Sequence, residues 1–164
     1  EIRRKYLDSS IAQYKQSYLQ ILIQYNKTLK QRNSLLKQFY DQSNIDKETL
    51  EIYDKQMIEL GNIIHKERTE FLKDLTPVVT DYYTNISESK EKVVLNFKSQ
   101  LTNGNFSTLL KESLAKDIAT KYTQCGIHKD DIIFEMNGYS IKKTGRLKKG
   151  YKYFIKKTKK NVKI

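Results

Sequence analysis

Tryptophan is absent from the 164 residues, and proline occurs once, at Pro77. With so little proline and 30% charged residues, the composition favours long helices over a β-sandwich. Cys125 is the lone cysteine, which excludes an internal disulfide and fits a reducing cytoplasm, where we expect the protein to reside. His65, His128 and Cys125 are the whole stock of soft ligands, so no metal site is expected. No run of about eighteen apolar residues exists and no charged-then-apolar leader opens the chain, so neither a membrane span nor a signal peptide is expected. The phosphate-cradling patterns GxxxxGKS/T and GxGxxG do not occur, and no nucleophile elbow or Ser/His/Asp set stands out, so no catalysis is expected of this chain. The first residue is Glu rather than Met, which suggests a processed or excised piece, sized for one domain or one lobe of a larger protein.

Acid is scarce in one place. The net charge of +12 sits almost wholly in residues 136–164, which hold eleven basic residues and no Asp or Glu. Any electrostatic argument for nucleic acid is therefore an argument about that tail.

What is abundant is helical periodicity. Leu7, Ile11, Tyr14, Tyr18, Ile21, Tyr25 and Leu29 alternate in fours and threes along residues 6–40, and so line one stripe of a helix. Leu50, Tyr53, Met57, Leu60, Ile64, Phe71, Leu75, Val78 and Tyr82 repeat the spacing, with one skipped position at Glu67 and Arg68. The polar run Asp41-Gln-Ser-Asn-Ile-Asp46 between them reads as a turn short enough to fold the two helices antiparallel, like a coiled coil. Arg3-Arg-Lys5 at a helix start opposes the helix dipole and suggests that the helix began upstream; Asp8, Ser9 and Ser10 allow a break near residues 13–16. Gln31-Arg-Asn-Ser34 interrupts the seam as a register marker or wet patch. Asp46 suits an N-cap, Gly61 suggests a close helix approach, and Pro77 should kink the second helix or start a new one that continues to about Ile86.

Beyond residue 87 the pattern changes. Lys92-Val-Val-Leu-Asn-Phe-Lys98 reads as a strand, and Asn105 or Ser107 caps a helix to about Tyr122. Asp131-Ile-Ile-Phe-Glu-Met136 reads as a second strand, and Asn137-Gly138 as a hairpin turn into Tyr139-Ser-Ile141. The expected fold is mainly α, of α+β type: a helical hairpin over residues 1–86, a strand, helix and hairpin cap over 87–144, and a basic tail over 145–164.

The best chemical cluster is Cys125-Gly-Ile-His-Lys-Asp-Asp131. A His, a Lys and two Asp before a strand could position a phosphate or a metal, though by itself the stretch reads more simply as a solvated turn. His65 reads as a flank residue beside the seam. Tyr82/Tyr83 and Tyr151/Tyr153 could stack on bases, but twelve tyrosines fit a Tyr-rich core better. In the tail, Lys142, Lys143, Arg146, Lys148 and Lys149 head a run of cations that would meet phosphates without reading bases; the plainer reading is a solvated, unanchored end.

Five segments together resemble one family. Arg3-Arg-Lys-Tyr-Leu-Asp8 resembles "RRxFLD", and Tyr25-Asn-Lys-Thr-Leu-Lys-Gln-Arg-Asn-Ser-Leu-Leu-Lys37 resembles "YNxxLKQRNxLLK". Asp54-Lys-Gln-Met-Ile-Glu-Leu-Gly61, then Lys66-Glu-Arg68 before Phe71-Leu72, and Gly126-Ile-His-Lys-Asp-Asp131, similar to "GPHRDD", follow in the same order. These are the motifs of the RecF family of DNA repair proteins, and the resemblance covers residues 2–145. It implies a helical lid lobe inserted into an ATPase head of the SMC and ABC class. The loops that bind ATP and Mg in the full-length family would lie outside this chain, whose fragment would be no enzyme. For the whole protein the resemblance implies DNA binding at gaps and at single-strand to duplex junctions, alongside RecR and RecO, in DNA replication, repair of damage and the SOS response. Gly126, His128, Lys129, Asp130 and Asp131 are the family-motif residues. Ile127 and Lys129 replace the family's Pro and Arg. After Lys142-Lys-Thr-Gly145, where the family carries "SQGQQ", this sequence continues Arg146-Leu-Lys-Lys-Gly-Tyr151 and the resemblance stops, leaving a truncated, frameshifted or divergent end as open readings. Residue chemistry without the family leaves two others: a helical adaptor that binds partner helices, and a cationic nucleic-acid-binding module acting through residues 142–163.

Overall fold

Charged side chains occupy two seam positions of the helical hairpin, and they decide how it is held together. In the computed structural model, which describes residues 1–41, 46–86, 93–136 and 138–140, the chain runs α1 (Ile2–Tyr14), α2 (Gln16–Asp41), α3 (Lys47–Ile86), β1 (Val93–Lys98), α4 (Phe106–Thr120), β2 (Asp131–Met136) and β3 (Tyr139–Ser140). Short 3-10 turns occupy Gln100–Thr102 and Ile127–Lys129. Two compact units emerge, each made of two segments: Glu1–Leu75 with Phe97–Ile132, and Thr76–Asn96 with Ile133–Ile164.

In the first unit the helix expected over residues 6–40 breaks at Lys15, whose φ of −128° and ψ of 83° leave the helical region and separate α1 from α2. α2 and α3 run antiparallel. Thr28 Oγ1 donates to Gln56 Oε1 at 3.3 Å, Arg32 Nε to Asp54 Oδ1 at 2.6 Å, and Lys15 Nζ to Glu67 Oε1 at 2.5 Å, so partners rise on one helix as they fall on the other. The buried seam of α2 is Tyr18, Tyr25, Thr28, Arg32, Leu36 and Phe39; that of α3 within this unit is Leu50, Met57, Gly61, Ile64, Arg68 and Leu72. The skipped position and the polar interruption are thus seam positions filled by guanidinium groups. Tyr14 stays largely exposed and lays its ring on Phe71, centroids 6.0 Å apart, instead of entering the core. Where α2 ends, Leu36, Phe39 and Leu50 form a small core against Leu35, Leu114 and Ile118.

Caps appear where side-chain oxygens were available. Asp46 Oδ1 accepts from Thr49 N at 3.0 Å, and Asn105 Oδ1 accepts from Ser107 N and Thr108 N at 2.9 and 3.3 Å. The turn residues 42–45 lie outside the described residues.

In the second unit α3 continues through Pro77 to Ile86, and Val79 is buried while Val78, expected on the seam, is exposed. Thr80 Oγ1 donates to Thr76 O and to Val93 O, both at 3.0 Å, which ties the helix to the first residue of β1. β1, β2 and β3 form one sheet in that order; β2 and β3 are antiparallel, with Glu135 opposite Ser140 and Met136 opposite Tyr139. Asn137, Ile141, residues 87–92 and the whole basic tail, including Lys142, Lys143, Arg146, Lys148 and Lys149, lie outside the described residues. Among the described residues no helix is long and apolar enough to cross a membrane.

Candidate functional site

Glycine is required where the 126–131 stretch turns. Gly126 has φ +122° and ψ 178°, a region that side chains with a Cβ avoid. A Cβ there would lie 2.6 Å from Tyr25 Oη and 2.9 Å from Phe106 Cζ. Gly61 faces the same Phe106 ring, where a Cβ would come 2.5 Å from Cε1 and 3.3 Å from Tyr25 Cε2. The close approach expected at Gly61 is therefore to Phe106 of α4 as well as to α2. Gly126 N donates to Gln100 Oε1 at 3.1 Å, and Ile127 is buried.

This placement brings Asp130 and Asp131 against the arginines of α1 and α3. Arg68, buried on the seam, donates from Nε and Nη2 to the two oxygens of Asp8, both at 2.9 Å. Its Nη1 donates to Asp130 Oδ2 at 2.8 Å and to Ile127 O at 2.7 Å. Tyr18 Oη completes the group by donating to Asp8 Oδ1 at 2.5 Å. Arg3 pairs with Asp131 through both Nε and Nη2, and Arg4 Nη1 donates to Asp130 O at 2.9 Å. One guanidinium thus joins α1, α3 and the loop. Burial disfavours its charge, but Asp8 and Asp130 more than offset this and hold Arg68 firmly protonated.

Arg32 does the same at the other end of the seam. Its Nε donates to Asp54, and its Nη1 to Asp117 Oδ2 at 2.7 Å and to Thr123 Oγ1 at 2.9 Å. Asp117 Oδ1 also accepts from Gln124 N at 2.9 Å, and Thr123 donates its amide and hydroxyl to Asn33 Oδ1 at 2.8 and 2.7 Å. The turn after α4 is thereby fixed to α2 and α3. A cavity of about 600 Å³ opens beside the Arg68 group, lined in part by Arg4, Lys5, Asp8, Asn26 and His128.

His128 is neutral. Burial pushes its pKa down to about 4, with the cations of Lys129, Arg4 and Arg32 adding to the effect against a hydrogen bond to Thr123. Nε2 lies 3.1 Å from Thr123 O and Nδ1 3.2 Å from Tyr25 Oη, so the proton sits on Nε2, which donates to the carbonyl, while Nδ1 accepts from the tyrosine. Tyr25 itself is held well above the usual phenol range, first by burial and then by Asp130. The folded pKa of His128 lies below that of an unfolded histidine, so its contribution is complete above about pH 6.5 and is lost as pH falls towards 4. Unfolding free energy should drop by up to roughly 3 kcal/mol over that window through this residue. Urea titrations at pH 7 and pH 4.5 should show the His128→Phe variant losing less stability between the two than the parent does.

Burial raises the Cys125 thiol above its ordinary value, and its Sγ lies 3.4 Å from Ser113 Oγ. The family-motif residues Gly126, His128, Asp130 and Asp131 come together with Tyr25, Arg3, Arg4 and Arg68, and Lys129 stays exposed. The solvated-turn reading of 126–131 gives way to a buried loop, because its carboxylates meet guanidiniums from far along the chain. Arg68, Asp8, Arg32 and Asp117 carry the two clusters; the signal that could have found them was charge at seam positions. His65 stacks on Phe97, centroids 5.5 Å apart, as a flank residue.

No protein-family model matches the chain. Its relatives include the DNA replication and repair protein RecF of Flavobacterium johnsoniae, 44% identical over 145 residues, 88% of this chain and 40% of that protein. RecF of Phocaeicola vulgatus is 36% identical over 153 residues, 93% of this chain and 40% of that protein. Two solved structures of the recombination mediator protein RecF in the RecFOR pathway are also similar. RecF-ATP aligns with a TM-score of 0.77 and 33% identity over 84% of this chain and 39% of that one. RecF-ATPrS aligns with a TM-score of 0.81 and 31% identity over 90% of this chain and 42% of that one. Sequence and fold agree with RecF over most of the 164 residues, and the chain spans about 40% of the length of these relatives.

Proposed function

We propose that this chain is the helical lid lobe of a RecF-type recombination mediator. Within the whole protein, an ATPase head binds ATP and Mg, the assembly binds DNA at gaps and single-strand to duplex junctions, and RecR and RecO are its partners in the cytoplasm. The chain itself is no enzyme. The observation that carries this reading is the alignment with RecF-ATP over 84% of the chain; residues 1–75 of the helical hairpin and the 126–131 loop belong to the same compact unit. The bonding of that loop supports the reading, since a lid must move as a unit and two buried arginine clusters tie its helices and loop together.

An exchange experiment tests it. Residues 1–145 of this chain replace the matched segment of Flavobacterium johnsoniae RecF, and ATP turnover on gapped DNA is measured beside ATP binding by the isolated chain. The chimera should keep turnover within about tenfold of the parent, as expected when a lobe is replaced by one of the same fold, and the isolated chain should bind no ATP. A folded chimera without turnover, or ATP binding by the chain alone, would overturn the lid assignment.

A further inference from the structure

Between Gln16 and Tyr40, α2 contains no Asp or Glu, while Lys27, Lys30 and Lys37 stand exposed. Near its end lie two large exposed rings, Tyr40 at 58% and Tyr122 at 53%. Lysines cover both in a crossed arrangement: Lys121 Nζ lies 3.9 Å from the centroid of Tyr40, and Lys37 Nζ lies 5.2 Å from that of Tyr122. Lys37 and Tyr40 are three residues apart on one helix face, and Lys121 and Tyr122 are adjacent, so each segment supplies one ring and the cation that reaches the other segment's ring. Thr123 and Asn33 fix the spacing from beneath.

Lys121 occupies an unusual position for its side chain. It caps α4 with φ 61°, the left-handed conformation that glycine takes at least cost, and its amide donates to Asp117 O and Ile118 O. A lysine at this place accepts backbone strain and supplies a cation over Tyr40. The one acid in the last turns of α4, Asp117, is buried against Arg32 and leaves the surface there positive.

We infer that Lys37, Tyr40, Lys121 and Tyr122 form a binding site for single-stranded DNA, in which bases stack on the two rings and the ammonium groups meet the flanking phosphates. Exposed aromatic faces interleaved with cations suit a strand whose bases are unpaired, and suit a closed duplex poorly. The choice of DNA as ligand rests on the function proposed above.

The test uses the full chain and two oligomers of equal length and charge, an oligothymidylate and its abasic counterpart. Cations elsewhere, the basic tail included, attract both alike, so the difference in affinity reads stacking alone. The parent should prefer oligothymidylate by about tenfold or more. The exposed double variant Y40A/Y122A should lose that preference with an unchanged circular dichroism spectrum and unchanged abasic binding, and Y40F/Y122F should keep it. Equal affinity of the parent for the two oligomers, or a preference that survives in Y40A/Y122A, would overturn the site. An active lobe chimera with no base preference here would remove this site and leave the lid reading standing; an inactive chimera with a ring-dependent preference would do the reverse.

Discussion

Replacing Arg68 with methionine is expected to lower the unfolding free energy by about 3–5 kcal/mol, the range for removing one partner of a buried ion pair. Methionine fills much of the volume, so the loss is electrostatic. Arg68 is 1% exposed and bonds four acceptors: both oxygens of Asp8, one of Asp130, and the carbonyl of Ile127. Without it two carboxylates stay beneath the surface uncompensated, and α1 and the 126–131 loop lose their common anchor. Urea unfolding followed by circular dichroism measures the effect. Neutralising the orphaned acids as well, with Asp8→Asn and Asp130→Asn, should recover part of the loss, because most of the penalty comes from the charges left behind. Breaking the exposed Lys66 and Glu70 pair, by contrast, should change little.

Gly126→Ala should cost about 2–6 kcal/mol, from two contributions of about 1–3 kcal/mol each. One is backbone strain at φ +122°. The other is steric: the new methyl would meet Tyr25 Oη and the Phe106 ring, and that ring cannot retreat because its opposite edge already abuts Gly61. Gly138→Ala supplies the control. Gly138 also has a positive φ, 81°, but a Cβ there meets nothing within 4 Å, so it should show the strain without the clash. Thermal unfolding of the two variants beside the parent separates the contributions. Equal losses would mean that the packing of Phe106 between two glycines does not matter.

How far these features were legible in the sequence follows from where their causes lie. The break at Lys15, the Asp46 and Asn105 caps and the strands at Val93–Lys98 and Asp131–Met136 have local causes, and local patterns reveal them. Arg32 and Arg68 were different. Periodicity counts a charge as solvent-facing, so it skipped both, although each stands on the seam. Their partners Asp117 and Asp8 are 85 and 60 residues away, a separation at which no spacing rule applies. The same blindness made 126–131 look like a surface turn. The motif segments of the family resemblance contain Arg3, Asp8, Arg32, Arg68 and Asp130, but of these only Asp130 was named as a motif residue, and nothing in the motifs shows that they bond one another. Tyr14 and Val78 erred the other way, apolar by period yet exposed, because Tyr14 is the last residue of α1, where the helix breaks, and Val79 takes the buried place next to Val78.

Whether charge pairing holds α1, α3 and the loop as one body is read most directly from a double-mutant cycle between Arg68 and Asp8. Unfolding free energies of the parent, Arg68→Met, Asp8→Asn and the double variant should give a coupling of about 2–3 kcal/mol, the upper part of the range for residues in one buried network. A coupling within about 0.5 kcal/mol of zero, the additivity of independent sites, would contradict the account.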